Sequence, residues 1–410
     1  MIIELIQNIL NYSESIDQIN CIQIDKYIYD NSYIFRLCDL GECTKNLDQD
    51  IIRQRKYSKL VALDCQYSTK LYDLDHVCGT LEELVCGNSI EQSGIMNLKK
   101  LKKISCVNNI RINNLNHLKE TLEDVDCSAS PPITSYEPNN DMNWMNNMSG
   151  MSNMMNNMNQ KTKYYHNTIC QTGIAKLKKI KKLNHSYNSN IVSLEHFAET
   201  LEELHCEYEN GKDRSYNIHE ELSNLKKIRI LNCNHNYGVH KYGLPVNLNN
   251  MLEELHYRKL GIDQNVISRF NGLKHLDIMD GLHHNINLSS LGETLEILKC
   301  NGNVLGMGSL KKIRVLHLKS NSDRLYCNVD IYSDTVEELY CEDSYIGQHA
   351  ISKMKKLKKL NCSGCQYIFD VNHLSKTLRK LIYNDKSGIT PKGIFMLSKR
   401  TKIICNSSSK

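Results

Sequence analysis

A seven-residue stretch, TLEELHC at residues 200–206, recurs along the chain with little variation. Its copies are TLEELVC (80–86), TLEDVDC (121–127), TLEILKC (294–300) and TVEELYC (335–341). Basic stretches alternate with these acidic ones, for example LKKISC (101–106) and LKKLNC (357–362). All follow one template, in which positions one and four are apolar and position six is usually Cys. The template occurs fifteen times, mostly at spacings of 18 to 24 residues, so we expect an array of similar units rather than one compact core.

The sixth template position is expected to face the core. Side chains alternate between the two faces of a strand, so positions four and six point inward together. A free Cys there behaves as a small buried apolar side chain. A disulfide or metal framework is the alternative, but the first residues lack the basic stretch of a secretory signal, which favours a reduced, cytoplasmic chain. The ten cysteines in this column are Cys65, Cys86, Cys106, Cys127, Cys206, Cys233, Cys300, Cys341, Cys362 and Cys405.

The second template position carries charges that alternate in sign. Over twelve successive units it changes from acidic to basic and back, from Glu82 and Lys102 through to Lys358. Neighbouring strands of a parallel sheet lie about 4.8 Å apart, so each carboxylate is expected between two cations. These lysines therefore predict a structural ladder and not a nucleic-acid surface. The net charge of +5 and the absence of a long apolar run likewise predict neither nucleic-acid nor membrane binding.

The ninth position of the template is Asn in five units and another small residue, Ser or Cys, in six. In this register the units resemble the leucine-rich repeat, L-x-x-L-x-L-x-x-N-x-L, whose Asn amide satisfies backbone groups of adjacent turns. The resemblance implies an α/β solenoid, a leucine-rich-repeat horseshoe with a parallel sheet on the concave face and short helices or extended segments on the convex face. Phrases before the basic strands fit short helices, and those before the acidic strands read as turns. The Asn residues at this position are Asn109, Asn188, Asn236, Asn303 and Asn321.

The register divides the chain into two predicted domains. Residues 55–410 form the solenoid of about fifteen units, and residues 1–54 form a helical N-terminal cap. A Met- and Asn-rich insertion at about 130–163 interrupts the register. Its composition predicts disorder, and a helix with a methionine stripe that binds a partner is the alternative. The Asn- and Ile-rich chain also resembles irregular repeat proteins of large DNA viruses of amoebae, which implies a location in the host cytoplasm.

Residues 2–35 have apolar residues at helical spacing and resemble an F-box. The family's Leu-Pro start is missing. The resemblance implies that this segment binds the scaffold of a cullin ubiquitin ligase, whereas a plain helical cap for the first repeat is the alternative. The matching residues are Glu4, Leu5, Ile9, Leu10, Cys21 and Ile24.

The sequence contains no phosphate-binding glycine loop, no nucleophile elbow and no paired-Cys zinc spacing. We therefore predict no catalysis, no cofactor and no metal site. His256, His275, Asp277 and His317 share the exposed face of the predicted sheet and could approach one another. A metal-dependent enzyme is thus a third alternative, although solvated histidines on a sheet surface are commoner.

The exposed template positions three and five change character along the chain. Position three is charged in most early units and becomes apolar in later ones, where position five carries His or Tyr. Apolar residues flanked by polar ones mark interaction surfaces, and solenoids usually bind partners on the concave sheet. We predict a non-catalytic protein–protein interaction scaffold, with an F-box-type substrate adaptor as the alternative. The predicted partner-binding residues are Ile230, His256, His275, Ile297, Val315, His317 and Tyr340.

Overall fold

The computed structural model describes most of the repeat region. The chain divides into two compact units, Met1–Ile191 and Val192–Lys410. The F-box-like match and most of the Met- and Asn-rich insertion lie outside the described residues, so both predictions stay predictions. The described residues are 18, 32–38, 40–131, 133–134, 162–163, 167–208, 218–258, 262–280, 286–301, 304–319 and 329–406.

Six parallel strands form the sheet of the first unit, and each pairs with the next along the chain. The register joins equivalent template positions, since Leu84 pairs with Leu63 on one side and Ile104 on the other. The strands are β1 (Arg36–Leu37), β2 (Ala62–Cys65), β3 (Glu83–Cys86), β4 (Lys103–Ser105), β5 (Asp124–Asp126) and β6 (Lys182–Asn184).

Ten parallel strands form the sheet of the second unit, again in chain order. A separate parallel pair joins Ile286–Asn287 to Val304–Leu305. The ten strands are β7 (Glu203–His205), β8 (Ile230–Asn232), β9 (Glu254–His256), β10 (His275–Asp277), β11 (Ile297–Asn301), β12 (Val315–Lys319), β13 (Glu338–Tyr340), β14 (Lys359–Asn361), β15 (Lys380–Asn384) and β16 (Lys402–Asn406).

Short helices connect the strands. Over most of the chain, α-helices precede the basic strands and 3₁₀ helices precede the acidic strands. The α-helices are Gln49–Ile52, Gln92–Ile95, Gln171–Ile174, Ile218–Asn224, Tyr237–Tyr242, Gln264–Ile267, Gln348–Lys353 and Pro391–Ile394. The return segments that the sequence predicted to be turns form 3₁₀ helices. They are Asp75–Val77, Asn116–Leu118, Glu195–Phe197, Val246–Asn250, Ser289–Leu291, Val329–Tyr332 and Asn372–Leu374, with further ones at Gly41–Asn46, Arg55–Tyr57 and Met307–Ser309. Within the described ranges, no helix has the length and hydropathy of a membrane span.

The predicted leucine-rich-repeat architecture is confirmed, because each repeat contributes one strand to a parallel sheet and a short helix or turn to the return path. The sheet begins one strand earlier than the fifteen templates indicate. Strand β1 carries Leu37 at template position four, paired with Leu63. Its unit departs from the template at two positions, since position two is the uncharged Phe35 and position six is Asp39. The boundary between cap and solenoid at residue 55 remains a prediction.

The inward-facing cysteine column is confirmed in nine of its ten members, which are at most 2 % exposed. Cys405 is the exception and is exposed, since β16 is the last described strand and no described repeat packs beyond it. All cysteines among the described residues are free thiols. Burial raises the pKa of Cys206 and Cys233 far above the ordinary thiol value. The nine buried members therefore pack as small apolar side chains.

The predicted charge ladder joins neighbouring strands through ion pairs. Glu253 lies between Arg229 at 2.7 Å and Lys274 at 2.8 Å, each distance joining a side-chain nitrogen to a carboxylate oxygen. Lys102 reaches Glu82 at 2.7 Å in the same way. These groups are largely exposed, so each pair stabilises the fold little, but the alternation disfavours a shifted stacking register.

The predicted Asn ladder satisfies backbone carbonyls of preceding repeats. The amide of Asn109 donates to the carbonyl oxygen of Gly87 at 2.7 Å, and that of Asn188 donates to the carbonyl of Cys127 at 3.0 Å. Both side chains are buried. Asn303 and Asn321 lie outside the described residues.

The two ends of the Met- and Asn-rich insertion meet in a short antiparallel pair, Ile133–Thr134 with Thr162–Lys163. Because these ends are already adjacent, we expect that residues 135–161 can be replaced by an Asn-Gly turn with a change of less than about 1 kcal/mol in the free energy of unfolding. Chemical denaturation of the shortened chain and the full chain measures this difference. A markedly larger loss would show that the insertion packs on the repeats.

Candidate functional site

The predicted binding residues lie on one continuous sheet face, made by template positions three and five of strands β8 to β13. In row three, Ile230, Glu254, His275, Ile297 and Val315 follow one another in register. In row five, the order is His256, Asp277, Lys299, His317 and Tyr340. All seven predicted residues are half-buried. The parallel register thus brings together residues that are up to about a quarter of the chain apart.

Two histidines and one glutamate form a compact cluster on β9 and β10. Nε2 of His256 lies 2.6 Å from Oε1 of Glu254. Nδ1 of His275 lies 2.8 Å from the same oxygen. The two imidazole rings pack edge to face, with 4.9 Å between their centroids. One carboxylate oxygen therefore accepts hydrogen bonds from both imidazoles.

Asp277 stands beneath this cluster and is fully buried. Arg258 donates to its two carboxylate oxygens from Nε at 3.0 Å and from Nη2 at 2.6 Å. Nδ1 of His256 lies 3.5 Å from Oδ2 of Asp277, on the side of the ring opposite Glu254. Asp277 is thereby held in place by a bidentate guanidinium and can orient the imidazole of His256.

The electrostatics of the cluster favour ionised carboxylates. Hydrogen bonds from His256 and then His275 hold the pKa of Glu254 well below its ordinary value. Burial alone would raise the pKa of Asp277, but the contacts from His256 and Arg258 hold it well below its ordinary value. Burial also opposes the charged form of His256, yet Asp277 and Glu254 outweigh it and raise the pKa of His256 to about 8. Near neutral pH the ring carries a positive charge between two carboxylates.

His317 and Tyr340 form the aromatic part of the face. Their rings are stacked, with 3.9 Å between centroids and an interplanar angle of 21°. Burial, followed by the charge of Lys299, lowers the pKa of His317 to about 4, so this ring is neutral near pH 7. The Tyr340 hydroxyl donates to Oε2 of Glu338 at 3.0 Å. His317 therefore belongs to a neutral stack and not to the charged histidine cluster.

The aliphatic part of the face is Ile297 beside Val315, which are directly opposite in register. Both are half-buried, so each is shielded in part by its neighbours instead of standing free in solvent. Together with the His317–Tyr340 stack they make a patch that is apolar and uncharged at its centre. In the first unit the same row carries charges, as in the ion pair of Lys103 with Asp124 at 3.4 Å.

His256, His275 and Asp277 were predicted from the sequence to lie close together, whereas Glu254 and Arg258 were not. Glu254 shares a strand with His256, two residues away, and lies opposite His275 in the register. A signal was therefore present in the template itself, but the acidic residues at position three were read as ordinary surface charges. Arg258 lies beyond the six template positions, and its return to Asp277 has no counterpart in the repeat pattern.

No protein-family model and no curated protein matches the chain. Solved structures that resemble it include an internalin (inlF) from Listeria monocytogenes, which is 12 % identical over 87 % of this chain and 82 % of its own, with a TM-score of 0.38. The TLR13–ssRNA13 complex is 15 % identical over 92 % of this chain and 62 % of its own, with a TM-score of 0.46. The leucine-rich repeat domain of APL1B is 14 % identical over 88 % and 90 %, with a TM-score of 0.30. At these values we draw no functional conclusion from them.

Proposed function

We propose that the chain is a non-catalytic scaffold that binds a protein partner through the exposed sheet face of β8 to β13. The observation that supports this function is the patch of Ile297, Val315, His317 and Tyr340 on adjacent strands, with Ile297 and Val315 in a row that carries charges in the first unit. Aromatic and aliphatic side chains at the centre of a polar surface are typical of interface cores.

The surroundings of the patch suit a protein partner with polar groups at its rim. Lys359 pairs with Glu338 at 2.9 Å beside the aromatic stack, and Lys299 lies between Asp277 and His317 in row five. Such a rim provides donors and acceptors around an apolar centre. We propose that the partner buries the apolar centre and exchanges hydrogen bonds with this rim.

The test replaces Ile297 by Glu and Val315 by Lys together. The two new charges are opposite each other in register, and both side chains face away from the core, so the free energy of unfolding should change by less than about 1 kcal/mol. The affinity for the partner should fall at least tenfold, since apolar residues near an interface centre contribute a large share of the binding energy. Quantitative affinity capture with mass spectrometry, followed by titration of the purified partner, measures the loss.

A matched control is Val246→Glu with Ile331→Lys. It makes the same change of chemistry in the second unit, at two exposed aliphatic side chains in the 3₁₀ helices of the return path. A partner protein that the control captures and the Ile297→Glu, Val315→Lys variant does not capture supports the proposed face. A protein retained with both variants, while both remain folded, excludes this face as the binding site.

The alternative function is an F-box-type substrate adaptor of a cullin ubiquitin ligase, which the apolar pattern of residues 2–35 favours. Replacing Leu5 and Ile9 by Asp should then abolish co-purification of the ligase scaffold without affecting the partner on the sheet face. A metal-dependent enzyme stays the third alternative. We also propose a cytoplasmic location, in the host cytoplasm for a viral chain, supported by the free thiols of all described cysteines.

A further inference from the structure

We propose that Glu254, His256 and His275 bind one divalent transition metal ion of the zinc class. This inference is independent of the proposed partner-binding function and replaces the expectation of no metal site. It rests on three observations. They are the geometry of the three side chains, the buried carboxylate of Asp277 that orients His256, and a second Glu-Leu-His sequence on β7 that lacks the third ligand and the supporting carboxylate.

The three side chains converge on one point. One ligand atom from each of them lies within 4.8 Å of the other two. The side chains of His256 and His275 are 18 % and 14 % exposed and that of Glu254 is 30 % exposed, so the cluster is enclosed at its base and open to solvent above. Metal-to-ligand distances for zinc with His and Glu are about 2.0–2.2 Å. An ion placed between these atoms needs small side-chain rotations and takes the place of the protons that Nε2 of His256 and Nδ1 of His275 now donate to Glu254.

The chemistry of the donors selects the ion. Two imidazole nitrogens and one carboxylate oxygen suit zinc and related transition metals, whereas calcium and magnesium prefer oxygen ligands alone. Three protein ligands leave at least one coordination position for water or for a group from outside the chain.

A supporting carboxylate of the kind found behind metal-binding histidines is already present. Nδ1 of His256 faces Asp277, so its Nε2 is the atom directed at Glu254 and His275. Asp277 is itself fixed by the bidentate contact from Arg258. A hydrogen-bonded carboxylate behind the ring sets the tautomer and orientation of a metal ligand.

The repeats supply an internal comparison. The sequence Glu-Leu-His occurs on β7 as well as on β9, and there too the His and Glu are in contact, with 2.9 Å between Nε2 of His205 and Oε1 of Glu203. On the next strand, however, Ile230 and Asn232 occupy the places that His275 and Asp277 have beside β9. The β7 pair therefore lacks both the third ligand and the supporting carboxylate.

The experiment uses the full chain without a histidine tag, stripped with a chelator, reloaded with Zn²⁺ and dialysed. We expect one retained ion per chain by elemental mass spectrometry. Reloading with Co²⁺ should give visible d–d bands without a thiolate-to-cobalt charge-transfer band, because no cysteine is among the ligands. That spectrum separates this site from adventitious binding at the exposed thiols of Cys43 and Cys405.

Four variants test the assignment. His275→Ile copies the residue found at this place on β8 and should remove the retained ion. Asp277→Asn copies Asn232 and should weaken zinc binding about 10–100-fold, the effect expected of an orienting group. His205→Gln should retain the full ion. If His275→Ile fails to fold by circular dichroism, Glu254→Gln takes its place, since it preserves shape and hydrogen bonding.

Two results would overturn the proposal. One is a wild-type chain that retains no zinc after dialysis. The other is a folded His275→Ile or Glu254→Gln chain that retains as much zinc as the wild type. A charge-transfer band in the cobalt spectrum that persists in these variants would assign the ion to cysteines instead.

Discussion

An Asp in place of Cys206 is expected to lower the free energy of unfolding of the second unit by about 3–5 kcal/mol, the cost typical of an uncompensated buried charge. The Cys206 side chain is 2 % exposed and belongs to the inward column, next to Cys233 in the following repeat. A carboxyl group there must either stay ionised without a cation or take up a proton and remain poorly hydrogen-bonded. Chemical denaturation followed by circular dichroism measures the loss.

Cys405→Asp is the matched control for this prediction. It makes the same substitution at the same template position, but in β16, where the side chain is exposed. We expect a change within about 0.5 kcal/mol. The thiols offer a second measurement, since Cys206, Cys233, Cys300 and Cys341 should resist alkylation in the native state and react after denaturation. Similar losses for both Asp variants, or fast native labelling of the column, would show that position six does not face the core.

The second large effect is expected for Gly173→Ala in the α-helix Gln171–Ile174. A Cβ atom at this position would collide with the backbone carbonyl oxygen of Asn113 in the preceding repeat and lie only 3.3 Å from Cα of Asn114. The backbone has to shift, so we expect a loss of about 1–3 kcal/mol in the free energy of unfolding of the first unit. The loss should appear even though Ala favours an isolated helix over Gly.

Gly79→Ala is the control, because a Cβ atom there meets no other atom within 4 Å and its backbone is not in the left-handed region. It should leave the free energy of unfolding unchanged within about 0.5 kcal/mol or raise it slightly. Gly94 and Gly393 occupy the same place in other repeat helices and meet the carbonyl oxygens of Tyr72 and Phe369. A Gly173→Ala chain as stable as the wild type would mean that the return helices have room for the additional methyl group.

The repeat pattern predicted the strands well because three constraints act on the same few residues. Positions one and four are apolar, position six is Cys in ten units, and position two alternates in charge over twelve units, so one strand can be recognised from six residues. Strand β1 has neither the charge at position two nor the Cys at position six, and the template did not predict it. The alternation of helix-like and turn-like return segments was also predicted, but three or four residues are too few to indicate that the turns are 3₁₀ helices.

The geometry of the proposed binding face was predictable in outline and not in detail. Register alone indicates that His256 and Asp277 are neighbours, because equivalent positions on adjacent strands pair. It does not indicate which way an imidazole turns, so the convergence of both rings on Glu254 was not visible in the sequence. Likewise, the stacking of His317 on Tyr340 separates this histidine from the cluster with which sequence analysis had grouped it.

The charge ladder also has an arithmetic consequence for how such an array can change in length. Removal of a single repeat would place two acidic strands or two basic strands side by side, and would stack two return segments of the same type. Removal of two consecutive repeats would keep each acidic strand beside a basic one, since Glu would again pair with Lys or Arg where the two flanking repeats meet. Repeats can therefore be removed or added without disrupting the charge ladder only in pairs, and the smallest interchangeable module is one acidic repeat with one basic repeat.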